Sequence, residues 1–237
     1  VPLGWEDSHD QIEKLWGLFE HSKTVIDDSP RTSIHVHVNV QDLRLKRLAT
    51  ILCMYYGLED VLTNWCGEYR KGNLFCLSAT ECPSITSSVV HFFRKPDWGN
   101  LPDDKFHYAA LGLASLRKFG TIEFRSMRGT DKKEELRPWL EMIKRLYDLS
   151  EEIKDPRDIC ELYSTGGWMH FAKTILGDDL YQEFVTKQFP NPEMAAPLIK
   201  GGIRACQHIA YSRDWDMYPD TKISGSDVFG KTNITKV

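Results

Sequence analysis

Two short stretches carry side chains whose types and spacing could do chemistry. In residues 32–40, TSIHVHVNV, apolar and polar residues alternate strictly. Ile34, Val36, Val38 and Val40 fall on one face, and Ser33, His35, His37 and Asn39 on the other. In residues 121–127, TIEFRSM, the same period sets Ile122, Phe124 and Ser126 against Thr121, Glu123, Arg125 and Met127. A period of two marks a half-buried strand. If the two strands share a sheet, His35, His37, Glu123 and Arg125 converge on one surface. A carboxylate beside an imidazole can ligate a divalent cation, and Mg²⁺ prefers oxygen and keeps several waters. A neighbouring guanidinium makes bidentate, charge-assisted bonds to phosphate. Together these are the means by which proteins position a nucleoside triphosphate and neutralise its charge. Plainer readings stand beside this one. His-x-His alone suits the solvated face of an antiparallel sheet, and Glu-x-Arg alone suits an ion pair across strands. His35, His37 and Glu123 around Zn²⁺, as in a metallohydrolase, form a third possibility.

The elements that must position these residues are legible in outline. Helical spacing predicts a helix over 7–21, with Ile12, Leu15, Trp16 and Phe19 on its apolar side and Ser8 as cap. A second helix opens at Asp42 and carries Leu45, Leu48, Ile51, Leu52 and Tyr55, with Gly57 expected to end or kink it before a short helix, LEDVLTNWC. Residues 67–100 read as loop-rich, with SSVVHFF as a possible strand, and HYAALGLASL suits either a helix or a buried strand. A helix is expected over 134–153, with Pro138 in its first turn, and further helices at about 158–165, 168–187 and 192–215. The tail from Tyr218 has little periodicity and is expected to be exposed or bound to a partner.

Composition bounds the rest. The chain has 237 residues, 41% of them hydrophobic and 27% charged, enough for a sizeable core. A net charge of −4 offers no general attraction to nucleic acid or acidic membranes, and no apolar run reaches membrane-spanning length. The densest basic cluster, RLKR at 44–47, reads as a solvated helix face. The six cysteines contain no CxxC pair, which argues against a zinc site and for reduced thiols in a cytoplasmic protein.

SIHVHVNV, then YRKGNLFC, then YAALGLASLRKFGTIEFRSMRGT followed by an amphipathic helix, resembles the amidoligase family of phages and bacteria. These are relatives of the carboxylate–amine ligases of glutamine synthetase and γ-glutamylcysteine synthetase type. The resemblance spans roughly residues 5–153 and rests on the ordered set H-x-H, R-x-x-N-x-x-C and G-T-x-E-F-R. It implies an α+β fold: a curved antiparallel sheet of glutamine synthetase-like type, with helices on its outer face. Residues 1–153 would be the catalytic core, 154–215 a helical extension and 216–237 an extended tail. The resemblance further implies ATP and Mg²⁺ as cofactors and a small-molecule or peptide carboxylate and amine as substrates, joined through an acyl phosphate. Carried over by residue, His35 and Glu123 would be metal ligands, and His37, Arg125 and Arg128 would bind the nucleotide. Glu123, Arg125 and Arg70 would be catalytic, Arg70 being otherwise a solvated loop arginine. Asn73 reads as a turn former and Cys76 as a packing residue.

Two departures from the family pattern shape the alternative. The Glu-x-Glu strand that normally supplies much of the metal site is not visible, and is expected upstream of Val1 or lost. Gly112 stands where the family carries an asparagine. A catalytically inactive structural or interaction module, in a homo-oligomer or a phage assembly, is therefore the competing reading.

Overall fold

The computed structural model describes residues 4–22, 29–97, 101, 107–217 and 220–223. In chain order its elements are α1 (Trp5–Ser22), β1 (Val36–Asn39), α2 (Leu45–Trp65), α3 (Pro83–Arg94), β2 (Leu111–Gly112), α4 (Ala114–Phe119), β3 (Thr121–Phe124), α5 (Lys133–Glu152), α6 (Pro156–Tyr181) and α7 (Ala195–Ala210). Among the described residues this is a mixed α+β fold of seven helices and a small, open, three-stranded antiparallel sheet. Strands of two to four residues do not by themselves define a glutamine synthetase-like sheet.

α2 is apolar almost all round, from Leu45 through Leu62, so it can be stable only if covered on every side. α5, α6 and α7 pack against it, and Phe124 of β3 sets its ring edge-on to Tyr55 at 5.3 Å. Gly57 does not interrupt this helix, contrary to the expectation from sequence. A methyl group at Gly57 would lie 2.4 Å from Cζ of Phe171 on α6. One at Gly202 on α7 would lie 2.1 Å from the carbonyl oxygen of Tyr56. Both glycines therefore serve close helix approach, and neither is a stop signal.

SSVVHFF is helical rather than extended. Pro83 takes the first turn of α3, and Ile85, Thr86, Val89, Phe92 and Phe93 are buried at helical spacing. The ambiguous 107–116 segment divides its character: β2 covers Leu111–Gly112, and α4 follows, closed by the left-handed Gly120. Pro138 lies inside α5, past its first turn. α6 contains two residues outside helical geometry, Gly167 and Gly177, so the expected break between 165 and 168 is present.

β3 is the central strand. β1 pairs on one side, with His37 opposite Glu123, and β2 on the other, with Gly112 opposite Glu123. Ile122, Phe124 and Leu111 are buried beneath the sheet, while His35 and His37 stand on its exposed side. Thus the two alternating stretches share one sheet.

The C-terminal helices belong to the same apolar core as the rest. Ile199, Ile203, Cys206 and Ile209 of α7 are buried with Leu48, Ile51, Leu52 and Tyr56 of α2. The first residues of the tail are also docked. Thr221 accepts the Leu45 N–H at 3.0 Å, Ile223 donates to Leu43 at 2.9 Å, and the Ile223 side chain is buried. The tail beyond 223 lies outside the described residues, as do Val1 to Leu3. All six cysteines are free thiols, five of them buried. No helix among the described residues is long and apolar enough to cross a membrane.

Candidate functional site

The site is built around one oxygen. Glu123 Oε1 receives Arg125 Nη1 at 2.7 Å, His35 Nδ1 at 2.8 Å and His37 Nε2 at 3.5 Å. Strand register accounts for this convergence. His37 faces Glu123 directly, His35 lies two residues back on the same face, and Arg125 lies two residues beyond Glu123. Each imidazole is also held at its far nitrogen. Ser33 Oγ lies 2.8 Å from His35 Nε2, and Thr121 Oγ1 lies 3.1 Å from His37 Nδ1. With Nδ1–H of His35 aimed at the carboxylate, neutral His35 has Nε2 free to accept from the Ser33 hydroxyl. The second carboxylate oxygen, Oε2, has a weaker partner, the Ser115 hydroxyl at 3.4 Å.

The electrostatics follow from these distances. Burial opposes ionisation of Glu123, but hydrogen bonds from His35 and His37 and the charge of Arg125 outweigh it and hold the carboxyl well below its usual range. Arg125 is nearly buried, with 9% of its side chain exposed, and its Nε is enclosed without a hydrogen-bond partner. A buried donor left unpaired is costly unless something can occupy it.

His35, His37, Glu123 and Arg125 therefore come together as their spacing predicts; Arg70 and Arg128 do not join them. Arg70 is fully buried, so it is not the solvated loop residue weighed from sequence. Its Nε donates to the carbonyl of Ser126 at 3.0 Å and its Nη2 to that of Arg125 at 2.7 Å. It braces the backbone behind Arg125 from a short helical turn, Glu68–Arg70. Arg128 donates to the carbonyls of Trp65 and Cys66 at the end of α2 and pairs with Glu135 at 2.9 Å. Asn73 is the turn former expected, bonded to Pro30, Tyr69 and Phe75. Cys76 is buried, and burial raises its thiol, which suits packing. Ser115 was not singled out from the sequence; it enters from α4, and no local pattern reveals it. Ser33 and Thr121 already share the relevant faces in the alternation.

The donor set limits what metal could sit here. Among the described residues no group of three or more His, Cys, Asp or Glu could hold a metal ion. The arginine seated on Glu123 takes the position a zinc bound by His35, His37 and Glu123 would need. With one carboxylate, the cluster does not fit a resident Mg²⁺. It does fit a Mg²⁺ that arrives with phosphate oxygens and water of its own, through Oε2 of Glu123.

An open antiparallel sheet with a carboxylate, two imidazoles and a nearly buried arginine on one face places the chain among α+β proteins. The chain belongs to a family described as putative amidoligase enzyme, whose model matches residues 2–147. That match covers more than half of the chain and contains all four cluster residues. No curated protein and no solved structure matches the chain.

Proposed function

We propose that this chain is an ATP-dependent carboxylate–amine ligase that forms an amide through an acyl phosphate, on a sheet of the glutamine synthetase-like type. The observation that carries the reading is Arg125: nearly buried, anchored to Glu123 through Nη1, and with Nη2 neither enclosed nor hydrogen-bonded among the described residues. Such a guanidinium is oriented in advance and still has a donor for a phosphoryl oxygen. Family membership supplies the reaction class.

In this reading the substrate carboxylate oxygen attacks the γ-phosphorus and ADP leaves. The amine then attacks the acyl carbon, phosphate leaves, and the amine nitrogen gives up a proton. Arg125 holds the transferred phosphoryl group, with Glu123 fixing its direction. His35 and His37 contact the nucleotide phosphates from the exposed side of the sheet. Glu123 Oε2 is the oxygen of this chain that would hold a Mg²⁺ bound with the nucleotide, and the ion would supply neutralisation of phosphate charge. The acid and amine are small molecules or peptides.

Isothermal titration with ATP and Mg²⁺, followed by assay of ADP release with panels of acids and amines, tests this. ATP is expected to bind, and Arg125→Lys to weaken it at least about tenfold, or about 1.4 kcal/mol. Absence of binding, or binding indifferent to Arg125→Lys, refutes it. A second reading, a silent interaction module, is favoured by the closure of the cluster on itself: three donors already face Glu123 Oε1. It predicts no ATP binding, a loss of folding stability in Arg125→Lys, and self-association or co-purifying partners by light scattering.

A further inference from the structure

A groove of about 510 Å³ runs between α3 and α7, lined on both sides by helical stripes. α3 contributes Pro83, Thr86, Ser87, Val90, His91 and Arg94, and α7 contributes Gly201, Arg204, Ala205 and His208. These follow the three- and four-residue spacing of a single face on each helix. It shares no residue with the Glu123 cluster. Its volume is that of a small-molecule site.

The charge of this groove is one-sided. Its lining includes two arginines and two histidines and no acidic residue. Several arginines elsewhere are engaged: Arg157 pairs with Asp155 and Asp216, Arg128 with Glu135, Arg137 with Glu141. Arg204 and His208, both exposed, have no hydrogen bond or ion pair among the described residues. Arg94 is fixed through Nε, which donates to the Ser212 carbonyl at 3.1 Å, so its remaining guanidinium nitrogens are presented from an anchored side chain. Asp60 accepts from the Thr80 hydroxyl at 2.7 Å, and burial raises its carboxyl. Two guanidinium groups facing one groove, Arg204 without a partner among the described residues and Arg94 held by a single bond, leave N–H donors that a bound anion would satisfy.

The rest of the lining sets the size and character of that anion. Gly201 and Ala205 keep the α7 wall low, and a methyl group at Gly201 would meet Asp60 Oδ2 at 3.7 Å and the Thr80 side chain at 3.8 Å, ordinary contacts. The glycine is therefore not needed for helix packing there, unlike Gly202 one residue on. Pro83, Val90 and Ala205 supply apolar surface between the cations. We propose that this groove is a binding site for a small organic anion, whose phosphate or carboxylate group lies between Arg94 and Arg204 and whose carbon skeleton rests on Val90 and Ala205. Phosphate and carboxylate share the guanidinium-binding chemistry, and the choice between them is made by experiment.

Isothermal titration of the whole chain with pyrophosphate and, separately, with citrate provides the test. At least one is expected to bind with a Kd of about 1 mM or tighter. Arg204→Glu, at an exposed position outside the core, is expected to weaken that binding at least about tenfold, and His208→Ala to weaken it less. Arg125→Lys is expected to leave it unchanged, which separates this groove from the proposed ATP site. Pyrophosphate alone binding assigns a phosphorylated ligand, citrate alone assigns a polycarboxylate, and both assign a site that reads charge only. No heat with either anion overturns the proposal. So does binding that survives Arg204→Glu, or binding lost in Arg125→Lys instead.

Discussion

Arg70 offers the sharpest test of how this site is built, because its two readings predict opposite phenotypes. As a phosphate ligand it could be removed with loss of nucleotide binding and little loss of stability. As a buried brace it could not. Two of its donors reach buried carbonyls at 3.0 and 2.7 Å, those of Ser126 and Arg125. A hydrogen bond from a charged donor contributes about 1.5–3 kcal/mol, and its loss leaves a buried carbonyl unpaired. Arg70→Ala should therefore cost about 3–6 kcal/mol, a large share of the roughly 5–15 kcal/mol that holds a domain folded. Arg70→Lys can reach one carbonyl and should cost about half as much. Urea denaturation followed by the fluorescence of the seven tryptophans measures both. A loss below about 1 kcal/mol in Arg70→Ala, with ATP binding abolished, would refute the brace and restore the ligand.

Other consequences can be checked in the same way. Gly202→Ala should destabilise more than Gly57→Ala, since the first drives a methyl group against the Tyr56 backbone and the second against a ring that can turn. Overpacking of this kind costs about 1–3 kcal/mol and more where the backbone must move, readable as a drop in urea midpoint. The folded Glu123 carboxyl lies below its ordinary value of 4.5, so the unfolded chain binds a proton that the folded chain refuses. Its stabilisation is whole above that value and is lost as the pH falls below it, so Glu123→Gln should flatten the acid limb of a stability–pH curve. A thiol reagent should find one fast cysteine in the native protein, Cys82, and six after denaturation. Burial pushes Cys160 up to about 12 and Cys66 higher still, so neither should react while the protein is folded.

What could be read from sequence depended on the range of the interaction responsible. The His and Glu strands were legible because a period of two is a local property, and pairing them needed only the guess that they share a sheet. Pro83 and the spacing of Ile85, Val89 and Phe92 were enough to make α3 helical, yet two adjacent valines disguised it as a strand. Gly57 misled because a glycine that ends a helix and one that admits a neighbouring ring look alike until Phe171, more than a hundred residues later, is in place. Arg70 was invisible for a similar reason: its burial is set by carbonyls of residues 125 and 126, on a strand end that no window around YRKGN contains. The family resemblance set Arg70 beside the cluster residues but could not tell a buried arginine from an exposed one.

The packing of α7 on α2 has a consequence for how the chain is made. α2 is complete at Trp65, but the helix that covers it begins at Ala195, about 130 residues later in synthesis. At about 5–20 residues per second, the ribosome leaves that apolar surface without its cover for on the order of 10 s. The segment matched to the amidoligase family, 2–147, ends before either α6 or α7 begins. The family-matched segment thus leaves the faces of α2 that α6 and α7 cover open until those later helices are made.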